Sequence, residues 1–136
     1  MSRARPLNIM LLSCEPARLH MAFLTATSAA ATGRLVSLFF TSDAVRLLLA
    51  DAWDSLPGHA GASAQELDAR HAASGTADTV MLMDAVAALN VRLLACEASL
   101  AANSIQPENL TRWAGTQITT VADFLADGSG GDFLTF

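Results

Sequence analysis

The chain has 136 residues, of which 52% are hydrophobic and 15% are charged, and its formal net charge at pH 7 is −5. This length is that of one domain, and the acidic balance argues against nucleic-acid binding, which requires clustered arginines or lysines. The large apolar fraction indicates that a partner covers part of the surface, and a symmetric homo-oligomer is the default expectation. We therefore expect residues 1–136 to form a single domain within a homo-oligomer.

The N-terminal segment has some features of a lipoprotein signal, because two arginines in residues 2–5 precede an apolar run and Cys14. The apolar run is shorter than the hydrophobic region of a signal and contains an asparagine, so we interpret it as a strand. The uncharged run between Arg18 and Arg34 is too short to span a membrane, which takes about 20 residues. We expect a cytoplasmic protein, in which the thiols stay reduced.

The predicted elements begin with a short, continuous apolar run at residues 7–13, which is typical of a strand buried on both faces. The alanine-rich segment 17–32 predicts a helix, since Pro16 suits its first turn and Gly33 can end it. Residues 35–40 are a second buried strand.

The middle of the chain contains a helix, an insert, a second helix and a strand. A Thr-Ser pair can cap a helix over residues 43–53. Proline, glycine and serine are frequent in residues 54–77, which predicts a variable surface insert with about one helical turn near residues 65–70. Residues 78–89 have the apolar spacing of a helix, and residues 91–95 form a third buried strand.

The C-terminal part alternates in the same way. A short helix follows Cys96, a second is predicted at 107–113, a strand at 117–119, a helix from Thr120 to Gly128, and a last strand at 132–136. This alternation predicts right-handed βαβ units, and therefore a three-layer α/β/α fold with a mainly parallel sheet of about five strands.

The two cysteines occupy similar sequence positions, because residues 8–15 (NIMLLSCE) parallel residues 90–97 (NVRLLACE). This similarity assigns Cys14 and Cys96 the same structural place at strand ends. In open α/β sheets, ligands bind outside the carboxyl ends of the strands, where both cysteines and residues 41–43 are expected.

The reactivity of these thiols depends on their surroundings. A helix N-terminus stabilises a preceding thiolate, whereas the carboxylates of Glu15 and Glu97 oppose this effect if they point inward. A free cysteine is also frequently an inert, buried hydrophobic residue, which is the alternative for both positions.

The sequence offers no cofactor or metal motif. His20, His59 and His71 lie in separate segments without ligand spacing, and no glycine-rich phosphate loop follows the first strand. We expect neither a metal nor a cofactor.

Two segments resemble a known family. Residues 39–45 (FFTSDAV), after a buried strand, resemble the second strand and turn of the DsrE/DsrF-like family. Residues 91–100 (VRLLACEASL) are similar to that family's strand-end cysteine segment, especially in the branch labelled peroxiredoxin-like. The resemblance covers the chain from Leu7 to about Gly128, with a variable insert.

The resemblance implies a sulfurtransferase-like role, in which Cys96 carries sulfur as a persulfide and exchanges it with a small sulfur-carrier protein. It also implies a trimer, tetramer or hexamer. The sequence departs from the family pattern at Ala98 and Leu100, where methionines often flank the serine. Cys14 is not a landmark of the family, so the resemblance assigns it no role.

We therefore predict sulfur relay with Cys96 as the catalytic residue, sulfurtransferase-like if the protein is an enzyme. Ser99 is a candidate to hold the terminal sulfur, and the other accessory candidates are Cys14, Thr41, Asp43 and Glu97. The alternatives are a non-enzymatic, homo-oligomeric subunit that binds a small ligand and a thiol redox protein that uses both cysteines. The strand order decides whether the cysteines can pair, and we favour an order in which the strand at 35–40 separates them.

Overall fold

The computed structural model describes residues 4–136, so Ser2 and Arg3 of the signal-like segment lie outside the described residues. In this range five strands form one sheet, and they are β1 (Leu7–Leu11), β2 (Val36–Phe40), β3 (Arg92–Cys96), β4 (Gln117–Thr119) and β5 (Asp132–Thr135). The α-helices are α1 (Pro16–Ala31), α2 (Ala64–Ala73), α3 (Thr79–Ala88), α4 (Glu97–Ala102) and α5 (Val121–Asp127). Among the described residues, no helix is both long enough and apolar enough to span a membrane.

The sheet is parallel throughout, and its strand order is β4-β3-β2-β1-β5. The central strand is β2, in which Leu38 is level with Ile9 of β1 and with Leu93 of β3. All five residues of β2 are buried, as expected for a strand covered on both faces. The three apolar runs are therefore parallel neighbours, as predicted, although their limits differ by one or two residues.

The two faces of the sheet pack against different helices, because successive side chains of a strand point to opposite faces. On one face, Ile9 and Leu38 belong to the main core, which also contains buried residues of α1 and α3. On the other face, Phe39 and Leu94 form a smaller cluster with Phe124 of α5, and the Phe39 and Phe124 rings stack at 4.5 Å. The predicted three-layer α/β/α architecture is confirmed.

The segment after β2 differs from the predicted helix over residues 43–53. It forms two 3₁₀ helices, Ser42–Leu48 and Trp53–Ser55. The fully buried residues recur three positions apart, as Ala44 with Leu47 and Val45 with Leu48. This spacing matches the three residues per turn of a 3₁₀ helix, in which positions i and i+3 lie one above the other.

The helix predicted at residues 107–113 is reduced to a single 3₁₀ turn, Pro107–Asn109. The chain beyond it is held by bonds to other segments. The Arg112 backbone N–H donates to the Leu48 carbonyl oxygen at 3.1 Å, and the buried Trp113 indole N–H donates to the Met83 carbonyl oxygen at 2.9 Å. The first of these long-range hydrogen bonds takes the place of the backbone hydrogen bond that the predicted helix would have formed at residue 112, and the second fixes the Trp113 side chain.

The insert at residues 54–77 is more ordered than predicted, because it contains the ten-residue helix α2 in place of one turn. Asp68 of α2 connects the insert to its neighbours: its carboxylate accepts bonds from the Trp53 indole N–H at 2.7 Å and from the Thr79 backbone N–H at 2.9 Å. The His20 and His71 rings stack at 3.9 Å, which joins α2 to α1. The insert is thus fixed against the main core.

Candidate functional site

The carboxyl ends of β1 and β2 are joined through Thr41. Its backbone N–H and its hydroxyl both donate to the Leu11 carbonyl oxygen, at 2.8 and 2.9 Å. Thr41 is buried, so both bonds are protected from water. This predicted accessory residue therefore shapes the edge of the sheet on which the candidate site lies.

A polar network connects the turn after β2 with α4. Ser42 adopts a left-handed conformation with φ 49°, and its backbone N–H donates to Ser99 Oγ at 2.7 Å. The Asn103 side-chain amide donates to the carbonyl oxygens of Ser42 at 3.3 Å and Ser99 at 2.8 Å. Ser99 therefore supports the turn after β2 through its hydroxyl oxygen and its backbone carbonyl oxygen.

Cys14 lies at the same edge and is partly buried. Its thiol donates to the Asp43 carbonyl oxygen at 2.9 Å. Burial, followed by the negative charge of Asp43, raises the pKa of Cys14 to about 11, and the positive charge of Arg46 opposes this shift. At pH 7 only about one Cys14 thiol in ten thousand is then a thiolate.

The glutamates next to the cysteines point elsewhere. The Glu15 carboxylate accepts a bond from the His59 backbone N–H at 2.9 Å, which holds the insert, and Glu97 is exposed. The carboxylate that opposes ionisation of Cys14 is therefore Asp43, the predicted accessory residue, rather than Glu15.

Cys96 is the last residue of β3 and is only 3% exposed. It lies in the small apolar cluster with Phe39, Leu94 and Phe124. Its side chain therefore lies on the face of the sheet that α5 covers, away from the main core.

The structure does not bring the two cysteines together. β2 lies between β1 and β3, so the two strands are about 10 Å apart, and a direct disulfide would require backbone movement. Both thiols are free. The favoured strand order, in which β2 separates the cysteines, is confirmed.

The expectation that both cysteines occupy the same structural place is wrong. In the sheet, Asn8 is level with Ser37, and Ser37 is level with Arg92. The same register makes residue 12, rather than Cys14, level with Cys96. The sequence similarity aligns Cys14 with Cys96, whereas the strand register aligns residue 12 with Cys96. Cys14 therefore lies two residues further along the chain, in the turn after β1.

A groove of about 430 Å³ lies beside the polar network, and we call it the strand-end groove. Its walls include Arg46 and Leu49 after β2, Leu56 in the insert, and Asn103 and Ile105 after α4. Sequence reasoning missed Arg46 and Asn103, because the three wall segments are far apart in the sequence. A sequence signal was nevertheless present, since Asn103 follows Ser99 by four positions, which places both on one side of α4.

Metal-ligating side chains do not assemble at this edge. Within residues 4–136, no group of three His, Cys, Asp or Glu side chains is arranged to hold a metal ion. The closest approach of two histidines is the stacked pair, in which His20 Nε2 lies 3.2 Å from the Ala77 carbonyl oxygen and His71 Nδ1 lies 2.9 Å from Thr76 Oγ1.

These features define an α/β protein with a five-stranded parallel sheet and a cysteine at the end of a strand next to the centre. The family model of the DsrE/DsrF-like family matches residues 8–136, and the chain therefore belongs to that family. The crystal structure of the YchN protein from E. coli has a similar fold, with a TM-score of 0.66 and 20% sequence identity over 97% of this chain and 99% of that chain. No curated protein matches the chain.

Replacing Asp43 with asparagine should lower the pKa of Cys14, because the substitution removes a negative charge and keeps the backbone carbonyl that accepts the thiol. Each unit of lowering raises the thiolate population about tenfold at neutral pH. In a Cys96→Ser background, we expect Cys14 in Asp43→Asn to react several-fold faster with iodoacetamide, and Cys14 in Arg46→Gln to react more slowly. An unchanged or slower rate in Asp43→Asn would contradict this electrostatic assignment.

Proposed function

We propose that the protein relays sulfur, and that Cys96 carries it as a persulfide. The observation that supports this most is the position of Cys96 as the last residue of β3, followed directly by α4, in a chain of the DsrE/DsrF-like family. That family is generally related to sulfur relay. Cys14 is the weaker candidate, because its raised pKa leaves little thiolate at neutral pH.

The proposed loading step transfers one sulfur atom without net oxidation. The Cys96 thiolate attacks the terminal sulfur of a donor persulfide, and a new S–S bond forms. The old S–S bond of the donor breaks, and the donor leaves as a thiolate that takes up a proton. The same reaction in the opposite direction passes the sulfur from Cys96 to the thiolate of a small sulfur-carrier protein.

Loading requires access to Cys96, which α5 restricts. α5 has seven residues, and Phe124 is its buried residue. One aromatic side chain therefore anchors this short helix on the cluster that contains Cys96. We propose that α5 moves away from the sheet when a donor or acceptor approaches. Ser99 remains our candidate to donate its hydroxyl hydrogen to the terminal sulfur.

The first test compares the two cysteines. After incubation with a small-molecule persulfide, intact-mass spectrometry should show the added mass of one sulfur atom on Cys14→Ser at the wild-type level and none on Cys96→Ser. Cys14→Ser is the matched control, because both variants lose one thiol. Equal loss of loading in the two variants would contradict the single-cysteine mechanism and favour a mechanism that uses both cysteines as a pair.

The second test concerns α5. Phe124→Ala removes the anchor of the helix, so we expect Cys96 to load several-fold faster than in the wild type, although the protein should be about 3 kcal/mol less stable. Leu35→Ala is the control, because Leu35 is 77% exposed and lies at the opposite end of β2 from the site. The measurement is the rate of mass gain under conditions in which circular dichroism shows both variants to be folded. Unchanged loading in Phe124→Ala would mean that α5 does not limit access.

The proposed assembly is a homo-oligomer in the cytoplasm, where the thiols stay reduced. The support is the exposed apolar surface around α5, where Val121 and Leu125 are exposed. Phe133 extends this surface, since the residue is 43% exposed and its ring centroid lies 5.8 Å from that of Phe124. A patch of this kind on a small protein is typical of an interface, and a trimer, tetramer or hexamer would bury it.

We expect Leu125→Asp to weaken this assembly, because a carboxylate would then be buried between subunits without a partner. Light scattering should show an oligomer for the wild type and a shift toward monomer for Leu125→Asp. Leu35→Asp is the control, because Leu35 is 77% exposed and precedes β2, at the opposite end of the strand from the site. A monomeric wild type, or an equal shift in both variants, would contradict the proposed interface.

A further inference from the structure

The strand-end groove has the size and position of a ligand site. Its volume of about 430 Å³ is within the range of about 300–1,000 Å³ that small-molecule pockets occupy. Two of its walls are formed by chain segments that come after β2 and after β3, and these segments contact each other through Asn103 and Ser42. Open α/β sheets bind their ligands at this end of the strands. The insert provides a further wall, which includes Leu56 and Pro57.

The lining of the groove is mostly apolar. Leu49, Leu56 and Ile105 are partly exposed there, and the last two also pack against the main core. Because that packing fixes their positions, the apolar wall is preformed. An apolar ligand group would remove these side chains from water without requiring the protein to reorganise.

One charged residue, Arg46, lines the groove. Its Nε donates to Asn103 Oδ1 at 3.2 Å, and Asn103 is itself held by its two bonds to the carbonyl oxygens of Ser42 and Ser99. In residues 4–136, Arg46 forms no ion pair with a carboxylate. The hydrogen bond from Nε therefore orients the Arg46 guanidinium, and its terminal N–H groups remain available to a ligand.

We propose that the strand-end groove binds a small organic anion with an apolar tail, such as a medium-chain carboxylate. The carboxylate accepts hydrogen bonds from the terminal N–H groups of Arg46, and the tail lies on Leu49, Leu56 and Ile105. Arginine suits this role, because its planar donors match the geometry of a carboxylate.

This binding site is separate from the proposed sulfur-carrying thiol. Cys96 belongs to the cluster under α5 on one face of the sheet, whereas Leu56 and Ile105 pack against the main core on the other face. The two proposals can therefore fail independently. A protein that carries no sulfur could still bind the anion, and the reverse also holds.

The test is a titration of the full-length protein with octanoate, followed by amide NMR spectra. We expect saturable shifts at the backbone amides of Leu49, Leu56, Asn103 and Ile105, and no comparable saturable shifts with octanol or octylamine. Because a charge-assisted hydrogen bond is lost, Arg46→Gln should weaken octanoate binding about tenfold. Arg46→Lys should retain part of the affinity.

Arg18→Gln is the matched control, because Arg18 is exposed on α1 and does not line the groove. It should bind octanoate as the wild type does, and thermal unfolding should show all three variants to be folded. The proposal is overturned if octanoate produces no saturable shifts at the groove, if octanol or octylamine binds equally well, or if Arg46→Gln and Arg18→Gln have the same affinity.

Discussion

The parallel pairing of β2 with both β1 and β3 is the constraint on which the rest of the structure depends. Because β2 is hydrogen-bonded on both sides and buried on both faces, its successive aromatic residues, Phe39 and Phe40, must enter opposite layers. Phe40 completes the main core, whereas Phe39 supports the small cluster under α5. The same pairing separates the strands that lead to Cys14 and Cys96, so a mechanism that needs both thiols at one point has no geometric support.

The two cysteines have different environments although their local sequences are similar. Cys14 has left the sheet and donates its thiol hydrogen to a backbone carbonyl, and both burial and a nearby carboxylate raise its pKa. Cys96 remains within the strand, in an apolar cluster that a seven-residue helix covers. In the proposed relay, access to Cys96 depends on the motion of α5, and in the proposed oligomer the exposed apolar residues of α5 are the surface through which a second subunit would influence that motion.

The sequence predicts the elements that depend on local pattern. Continuous apolar runs identify β1, β2 and β3, and the Thr120 cap and Gly128 correctly delimit α5. Features that depend on register or distant contacts were not predictable. The similarity of residues 8–15 to residues 90–97 does not reveal the two-residue offset between β1 and β3. The 3₁₀ helix Ser42–Leu48 buries residues three positions apart because it packs against the main core. The strand-end groove combines three distant segments, so no single stretch of sequence indicates it.

The central claim is that the wild-type protein carries transferred sulfur on Cys96. Cleavage after arginine would separate the two cysteines, because Arg18, Arg92 and Arg112 place them in different peptides. The wild-type protein would be treated with one equivalent of a persulfide donor, blocked by alkylation and analysed by peptide mass spectrometry. The account predicts the additional sulfur atom on the peptide that ends at Arg112, which contains Cys96. Additional sulfur on the peptide that ends at Arg18, or a disulfide that joins the two peptides, would contradict it.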